Sequence, residues 1–184
     1  MLQIAATPRA ATLGSVTAAR DIEAIFANPA MIGVAAGTVA AVGRFDAATH
    51  FTLASSSSLG PFSVGIGVQY LDNMSQNIGP ELWSYALQVG GYQNAASAVG
   101  AFALATTFRG NRIGAAVKYV DQRNGPYHDG APSLDLGLAR DVSRYTVGVA
   151  VQNIGDGIHF AYGSAALPLR IAAGVGSYGW TVGP

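Results

Sequence analysis

Large apolar residues recur at every second position in several segments of this chain, with glycine, alanine or polar residues between them. In the clearest segment, one side of an extended strand carries Phe62, Val64, Ile66, Val68 and Tyr70. The opposite side carries small or polar residues, namely Ser63, Gly65, Gly67 and Gln69. Glycine disfavours a helix and an ordinary strand interior alike. The spacing therefore predicts strands with one bulky face and one bare face.

The same alternation continues through much of the chain, which at 184 residues is long enough for one domain. It predicts about nine strands, at 38–45, 49–59, 62–71, 82–91, 98–108, 112–121, 132–140, 144–153 and 169–179. The links between most of these segments are short, which favours antiparallel neighbours. Longer links are expected at 122–131 and 154–168.

The register across the predicted hairpins can be set by placing apolar residues opposite one another. Four links between strands are assumed. Gly60-Pro61 is a two-residue turn, and a four-residue link is centred between Gly110 and Asn111. The third link is centred in 122–131, and the fourth is a turn near Val142-Ser143. The predicted partners are then Leu59 with Phe62, Leu53 with Val68, Phe51 with Tyr70, Phe108 with Ile113, Leu104 with Val117, Phe102 with Tyr119, Val117 with Leu136, Lys118 with Asp135, and Leu138 with Val147.

The composition indicates where such strands would be stable. Hydrophobic residues make up 50% of the chain and charged residues only 11%, whereas a soluble domain usually carries about 25% charged residues. The longest apolar stretch, Ala30 to Gly43, is shorter than the roughly 20 residues that a membrane helix needs. A closed barrel also satisfies every backbone group in lipid. We therefore expect an all-β fold, a transmembrane antiparallel up-and-down β-barrel.

A soluble β-sandwich is the main alternative, because its inner faces also alternate. A sandwich would need charged residues on its outer face, and the second face here is mostly glycine, alanine and serine. Aromatic residues also cluster toward the strand ends, as in the girdles of membrane barrels. Both observations favour the barrel.

The N-terminal region carries a helical pattern rather than a strand pattern. Residues 17–27 predict a short helix capped by Thr17, with Ile22, Ile25 and Phe26 on one side. Asn28-Pro29 ends it, because a residue that precedes proline disfavours helical geometry. So short a helix needs a surface to pack on, and the lumen of a barrel provides one.

Several classes of function are disfavoured by the residues. The net charge of zero lacks the basic field of a nucleic-acid binder. There is no cysteine, and His50, His128 and His159 lack metal-ligand spacing. Gly174-x-Gly176-x-x-Gly179 matches a dinucleotide motif but lies in an alternating strand, where no helix follows to hold the phosphate. No Gly-x-Ser-x-Gly motif occurs. We expect no enzyme activity, no catalytic residue, no metal and no cofactor.

Two opposite charges stand on the bare faces of neighbouring strands. The predicted register places Lys118 opposite Asp135, so we expect a cross-strand charge pair inside the barrel. Mutual neutralisation is one interpretation of this pair, and a role in substrate passage is the other.

The order of short motifs resembles the FadL-like outer-membrane barrels, and the PorV/PorQ group among them. The motifs that carry this resemblance are Pro8 to Gly14 with Ala18, Asp21, Ala24, Ile25 and Asn28-Pro29-Ala30, then Ser84-Tyr85-Ala86, Gly114 to Lys118-Tyr119, Asp135-Leu136-Gly137, Gly148 to Asn153-Ile154-Gly155, and Leu167-Pro168 to Gly174. The resemblance covers most of the chain.

This resemblance implies a plug at 1–36, with its turn at Asn28, Pro29 and Ala30, followed by barrel strands at 37–184. It implies an outer-membrane protein that contacts lipid and passes hydrophobic small molecules, with Ile22, Ile25 and Phe26 near the ligand route. The alternative is a barrel that does not transport but anchors or shuttles secreted surface proteins, as in type IX secretion. Barrels of this family have about 14 strands, so we expect the chain to be an N-terminal portion, truncated at its C-terminal end.

Overall fold

The computed structural model describes residues 18, 22–34, 36–45, 48–73, 95–124, 127–160 and 163–177. This part of the chain contains two 3-10 helices, Ile22–Phe26 and Pro29–Val34. Its strands are β1 (Gly37–Phe45), β2 (Ala48–Leu59), β3 (Phe62–Asn73), β4 (Ala95–Phe108), β5 (Asn111–Asn124), β6 (Tyr127–Val142), β7 (Tyr145–Ile154), β8 (Ile158–Phe160), β9 (Gly163–Ala165) and β10 (Arg170–Ser177).

Eight of these strands form one antiparallel sheet in the order β1-β2-β3-β4-β5-β6-β7-β10. The sheet curls into a half-barrel, with β1 and β10 at its edges. β8 and β9 pair with each other as a separate small hairpin between β7 and β10. The prediction of an all-β, antiparallel, up-and-down fold is confirmed at this level.

The predicted strands match the observed ones within a few residues over most of their length, with two differences. The predicted strand at 82–91 lies outside the described residues and stays a prediction, and β3 pairs directly with β4. The predicted long link at 122–131 is wrong, because β5 and β6 extend until Asn124 faces Tyr127. The β8–β9 hairpin lies inside the link expected at 154–168 and was not predicted.

The register predicted across Gly60-Pro61 is confirmed. Leu59 faces Phe62, Leu53 faces Val68 and Phe51 faces Tyr70. Gly60 has a φ of 60°, a left-handed conformation that glycine adopts at no steric cost. The turn chemistry and the apolar matching agree at this hairpin, so the sequence fixes one register.

The other three predicted registers are wrong, each by two residues. Phe108 faces Asn111 rather than Ile113, and Leu104 faces Ala115. Phe102 likewise faces Val117 instead of Tyr119. The cause is a turn at Arg109-Gly110, where both residues have positive φ values of 50° and 77°. Positive φ at both central residues is typical of a two-residue hairpin loop.

The same two-residue shift affects the next two pairings. Lys118 faces Ser133, Val117 faces Leu134 and Leu138 faces Val149, in place of the predicted Asp135, Leu136 and Val147. At the β6–β7 link, Ser143 has a φ of 56°, and the tight turn lets Val142 face Tyr145. Since side chains alternate with a period of two, a shift of two residues leaves every side chain on its predicted face. Apolar matching therefore could not detect the error.

The two faces of the curled sheet have opposite character. Large apolar side chains lie on the exposed face, where Val117 is 58%, Leu136 45% and Val149 41% accessible. The inner face buries small and polar residues, among them Ala54, Ala101, Ala103, Ala116, Ala139, Thr52 and Gln152. Within the described part of the chain, no second sheet stacks on the apolar face.

The N-terminal segment, residues 22–34, packs on the inner face. Ile25 and Ile32 are buried in one apolar cluster with alanines of the sheet. Within the predicted helix at 17–27, the described residues form a short 3-10 helix that ends at Phe26, and a second 3-10 helix, which was not predicted, begins at Pro29. Proline disfavours helical geometry in the residue before it but suits the first position of a new helix. Thr17, the predicted cap, lies outside the described residues. Among the described helices, none is long and apolar enough to cross a membrane.

Candidate functional site

Asn28 connects the two 3-10 helices and attaches them to the sheet. Its Oδ1 accepts a hydrogen bond of 3.1 Å from the backbone N–H of Ala30, which caps the second helix. Its Nδ2 donates to the backbone oxygen of Leu138 on β6 at 3.4 Å. The side chain is fully buried. Asn28 therefore fixes both the local turn and its position on the inner face.

Asn28, Pro29 and Ala30 lie directly over a pair of glycines. Gly114 on β5 faces Gly137 on β6, and we call these two residues the glycine pair. A Cβ atom at Gly114 would overlap the backbone of Pro29 and Ala30, and one at Gly137 would overlap Oδ1 of Asn28. Glycine at these positions thus allows two backbones to approach closely. The structure thus brings the predicted Asn-Pro-Ala motif together with two glycines for which the sequence had indicated no contact with it.

The three apolar residues expected near a ligand route do not share one environment. Ile25 is 1% exposed and belongs to the apolar cluster, whereas Ile22 and Phe26 are half-buried and pack against it. A Cβ at Gly67 of β3 would come within 2.5 Å of the Phe26 ring. The backbone oxygen of Phe26 accepts a hydrogen bond of 2.8 Å from Nε2 of Gln152. Ile25 is therefore a core residue, and Ile22 and Phe26 form the margin of the segment.

Lys118 and Asp135 come together on the inner face, although by a diagonal contact. Lys118 Nζ lies 2.7 Å from Asp135 Oδ2, and the two side chains are 3% and 0% exposed. Their α-carbons are not directly opposite, since Asp135 faces Ala116 across the β5–β6 pair. The predicted charge pair is therefore present, but the two residues lie diagonally across the β5–β6 pair rather than directly opposite each other.

Asn153 completes this group, and sequence reasoning missed it as a site residue. Its Oδ1 accepts a hydrogen bond of 2.7 Å from Lys118 Nζ, and its backbone N–H donates to Asp135 Oδ1 at 2.7 Å. Its Nδ2 donates to the backbone oxygen of Pro168 at 2.9 Å. Lys118, Asp135 and Asn153 form what we call the buried polar triad. An uncompensated buried charge is costly, and these contacts supply the compensation.

A β-bulge places Asn153 in the triad. Leu134 pairs with Ile154 while Leu136 pairs with Val151, so Asp135 faces two residues of β7. Asn153 has a φ of 60°, a left-handed conformation that asparagine tolerates better than most residues. The extra residue turns Gln152 and Asn153 both toward the buried side. An asparagine next to a glycine-containing link was the available signal in the sequence.

None of the three histidines contributes to the buried polar triad. His50 is buried on β2, His128 pairs with Asp121 at 2.6 Å, and the backbone N–H of His159 donates to Asp129 at 2.7 Å. No group of three acidic or histidine residues suited to a metal occurs in the described ranges. Gly174 and Gly176 lie in β10, and Gly179 of the same motif is outside the described residues.

The inner face of the curled sheet therefore carries two features. One is the apolar margin of the N-terminal segment, formed by Ile22 and Phe26, and the other is the buried polar triad, whose charges compensate each other. The apolar contacts and the hydrogen bond from Gln152 to Phe26 hold the N-terminal segment in place. Comparison of the chain with protein-family models, with curated proteins and with solved structures finds no match.

Proposed function

We propose that this chain forms wall and plug of an outer-membrane β-barrel of the FadL-like type, which passes hydrophobic small molecules. The observation that carries the proposal is the inverted distribution of side chains, with bulky apolar residues exposed and small or polar residues buried. Exposing such side chains to water costs about 25 cal/mol per Å² of apolar surface. In lipid that cost disappears, and transmembrane barrels have this pattern of faces.

The lengths of the links support an orientation. The turns Gly60-Pro61, Arg109-Gly110 and Ser143-Arg144 lie at one end of the sheet, which we call the hairpin end. The link at 155–169, which carries the β8–β9 hairpin, lies at the other end. Membrane barrels place short turns in the periplasm and longer loops outside. In this orientation β1 begins at the periplasmic end, and the N-terminal segment enters from that side.

The proposed ligand route runs along the apolar margin of the N-terminal segment. Ile22 and Phe26 offer half-buried apolar surface beside Val39 of β1. The buried polar triad neutralises its own charges, so it adds no net charge to the inner face. A hydrophobic ligand would therefore contact apolar side chains at the margin. It would not encounter an unpaired charge from the triad.

The first test is location and uptake. The chain is expressed in a Gram-negative host that lacks its own fatty-acid channel, and its outer membrane is washed with urea. The protein should remain in the washed membrane, and the cells should accumulate labelled fatty acid or alkane faster than cells without the gene. A soluble protein, or no uptake difference across a broad panel of apolar compounds, contradicts the proposal.

The second test uses matched variants of the N-terminal segment. Ile22→Asn and Phe26→Asn make the margin polar and should reduce uptake several-fold while leaving the amount of membrane protein unchanged. Val34→Asn is the control, because Val34 packs against the separate cluster of Ala24, Ala30, Met31 and Ala139. Equal uptake by all three variants would show that the ligand does not pass along Ile22 and Phe26.

The rival proposal is a barrel that anchors or shuttles secreted proteins. One observation favours it, since every residue of β9 is exposed and available to a partner. Retention of the chain in the membrane without any uptake, together with recovery of large secreted proteins on the solubilised barrel, would support this rival.

A further inference from the structure

Three arginines gather at the hairpin end without a carboxylate partner among the described residues. Arg109 lies in the β4–β5 turn, Arg144 lies in the β6–β7 turn, and Arg140 faces Asn111 across the β5–β6 pair. All three side chains are exposed. We call these residues the arginine edge.

The acid closest in sequence to the arginine edge is already engaged. Asp141 receives two hydrogen bonds from Arg112, at 2.8 and 2.9 Å, and a third from Thr146 Oγ1 at 2.7 Å. A carboxylate with these three donors has little capacity left for Arg140. Among the described residues, the positive charge of the arginine edge is therefore uncompensated.

Aromatic rings hold two of these arginines at a defined level. The guanidinium carbon of Arg109 lies 5.1 Å from the ring centre of Phe108, and that of Arg144 lies 5.3 Å from the ring of Tyr145. Phe108 and Tyr145 are exposed on the apolar face, as is Phe62 on β3. Membrane barrels place such rings at the boundary between hydrocarbon and headgroups. In the proposed membrane location, the arginines would therefore lie at the level of the lipid phosphates.

The opposite end of the sheet does not repeat this charge pattern. Its described arginines, Arg44, Arg123 and Arg170, share that end with Asp72, Asp121, Asp129 and Asp156. Among the described residues, an excess of positive charge is therefore found at the hairpin end and not at the opposite end of the sheet.

We propose that the arginine edge binds the phosphate of an anionic glycerophospholipid such as phosphatidylglycerol. The two turns are two strand spacings apart, about 10 Å, a span that long arginine side chains can bridge. Guanidinium groups form paired hydrogen bonds with phosphate oxygens. The inference rests on the proposed membrane location, and the periplasmic orientation of this end selects a glycerophospholipid over lipid A.

The experiment measures lipid retention by native mass spectrometry on the whole chain purified in neutral detergent. Phosphatidylglycerol, phosphatidylcholine and lipid A are titrated in separate arms. The triple variant R109Q/R140Q/R144Q is compared with R44Q/R123Q/R170Q, which removes the same charge from the opposite end. Wild type should prefer phosphatidylglycerol, and the arginine-edge variant should bind it at least tenfold more weakly, since each interfacial arginine contributes a severalfold factor. The control should bind it as wild type does.

Four results would overturn the inference. Equal loss in both triple variants would show that only net charge matters. Tighter retention of lipid A, lost in the same variant, would assign the site to the other lipid and reverse the orientation. Failure of the wild-type chain to remain in washed membranes would remove the proposed function and this inference together, whereas membrane retention without phosphatidylglycerol preference would remove the inference alone.

Discussion

Gly114 and Gly137 face each other across β5 and β6, and the Asn-Pro-Ala turn of the N-terminal segment lies against both. A side chain at either position would occupy space now filled by backbone atoms or by the amide of Asn28. The bare face of the sheet thus provides a contact surface as well as an empty one.

Replacing one member of the glycine pair should loosen this contact. We expect Gly137→Ala to destabilise the protein by about 1–3 kcal/mol, because overpacking a close contact forces the backbone to shift. Urea unfolding in detergent measures the loss, and protease cleavage within 22–34 should become faster. Gly100→Ala is the control, since a Cβ there meets nothing within 4 Å. Equal effects of the two changes would contradict the close contact.

The buried polar triad predicts strong coupling between its two charges. Lys118→Met leaves Asp135 buried without its cation and should cost about 3–5 kcal/mol, as measured by urea unfolding. The double variant Lys118→Met with Asp135→Leu should recover much of that loss, because neither position then carries a buried charge. Additive losses in the double variant would show that the two charges do not depend on each other.

The left-handed conformation of Asn153 predicts an unusual order of substitutions. Asn153→Gly keeps the backbone geometry but loses the side-chain hydrogen bonds, whereas Asn153→Ala loses the bonds and also strains the backbone. We expect the alanine variant to be less stable than the glycine variant by about 1–2 kcal/mol. A more stable alanine variant in thermal unfolding would mean that the bulge is not maintained.

The exposed apolar face predicts an effect that depends on depth in the membrane. Val117 lies in the middle of β5, and Val142 lies at the hairpin end, with similar exposures of 58% and 53%. In a membrane barrel an arginine costs about 2–4 kcal/mol at the bilayer centre and about 0–1 kcal/mol near the interface. Val117→Arg should therefore destabilise the protein in lipid vesicles far more than Val142→Arg. In a water-soluble protein both substitutions would be almost neutral.

The sequence predicted most strands and both faces because side-chain direction along a strand is a local property. From Phe62 to Tyr70, for example, the alternating pattern needs no knowledge of neighbours. The register was predicted at Gly60-Pro61 but not at Arg109-Gly110 or Ser143-Arg144. Arginine and serine seldom adopt positive φ, so the residue types at those two turns pointed elsewhere.

The sequence predicted some residues of the candidate site and missed others. Lys118 and Asp135 could be predicted as a pair because a buried charge is costly unless an opposite charge compensates it. Asn153 could not be found with them, since its inward direction depends on a bulge that exists only when β6 and β7 pair. The glycine pair was also unrecognised, because its role requires the N-terminal segment to lie on it.

By itself, the chain's alternating pattern determined that strands form and which side of each is bulky, and a helical pattern indicated the short apolar segment before them. Beyond the Gly60-Pro61 hairpin, only the tertiary structure decided which residues face each other, how Asn153 joins the buried charges, and where the Asn-Pro-Ala turn lies. The physical reason is that strand direction repeats every two residues within one segment. Register, bulges and backbone contacts depend instead on pairs of segments, and a shift of two residues leaves the pattern of each segment unchanged.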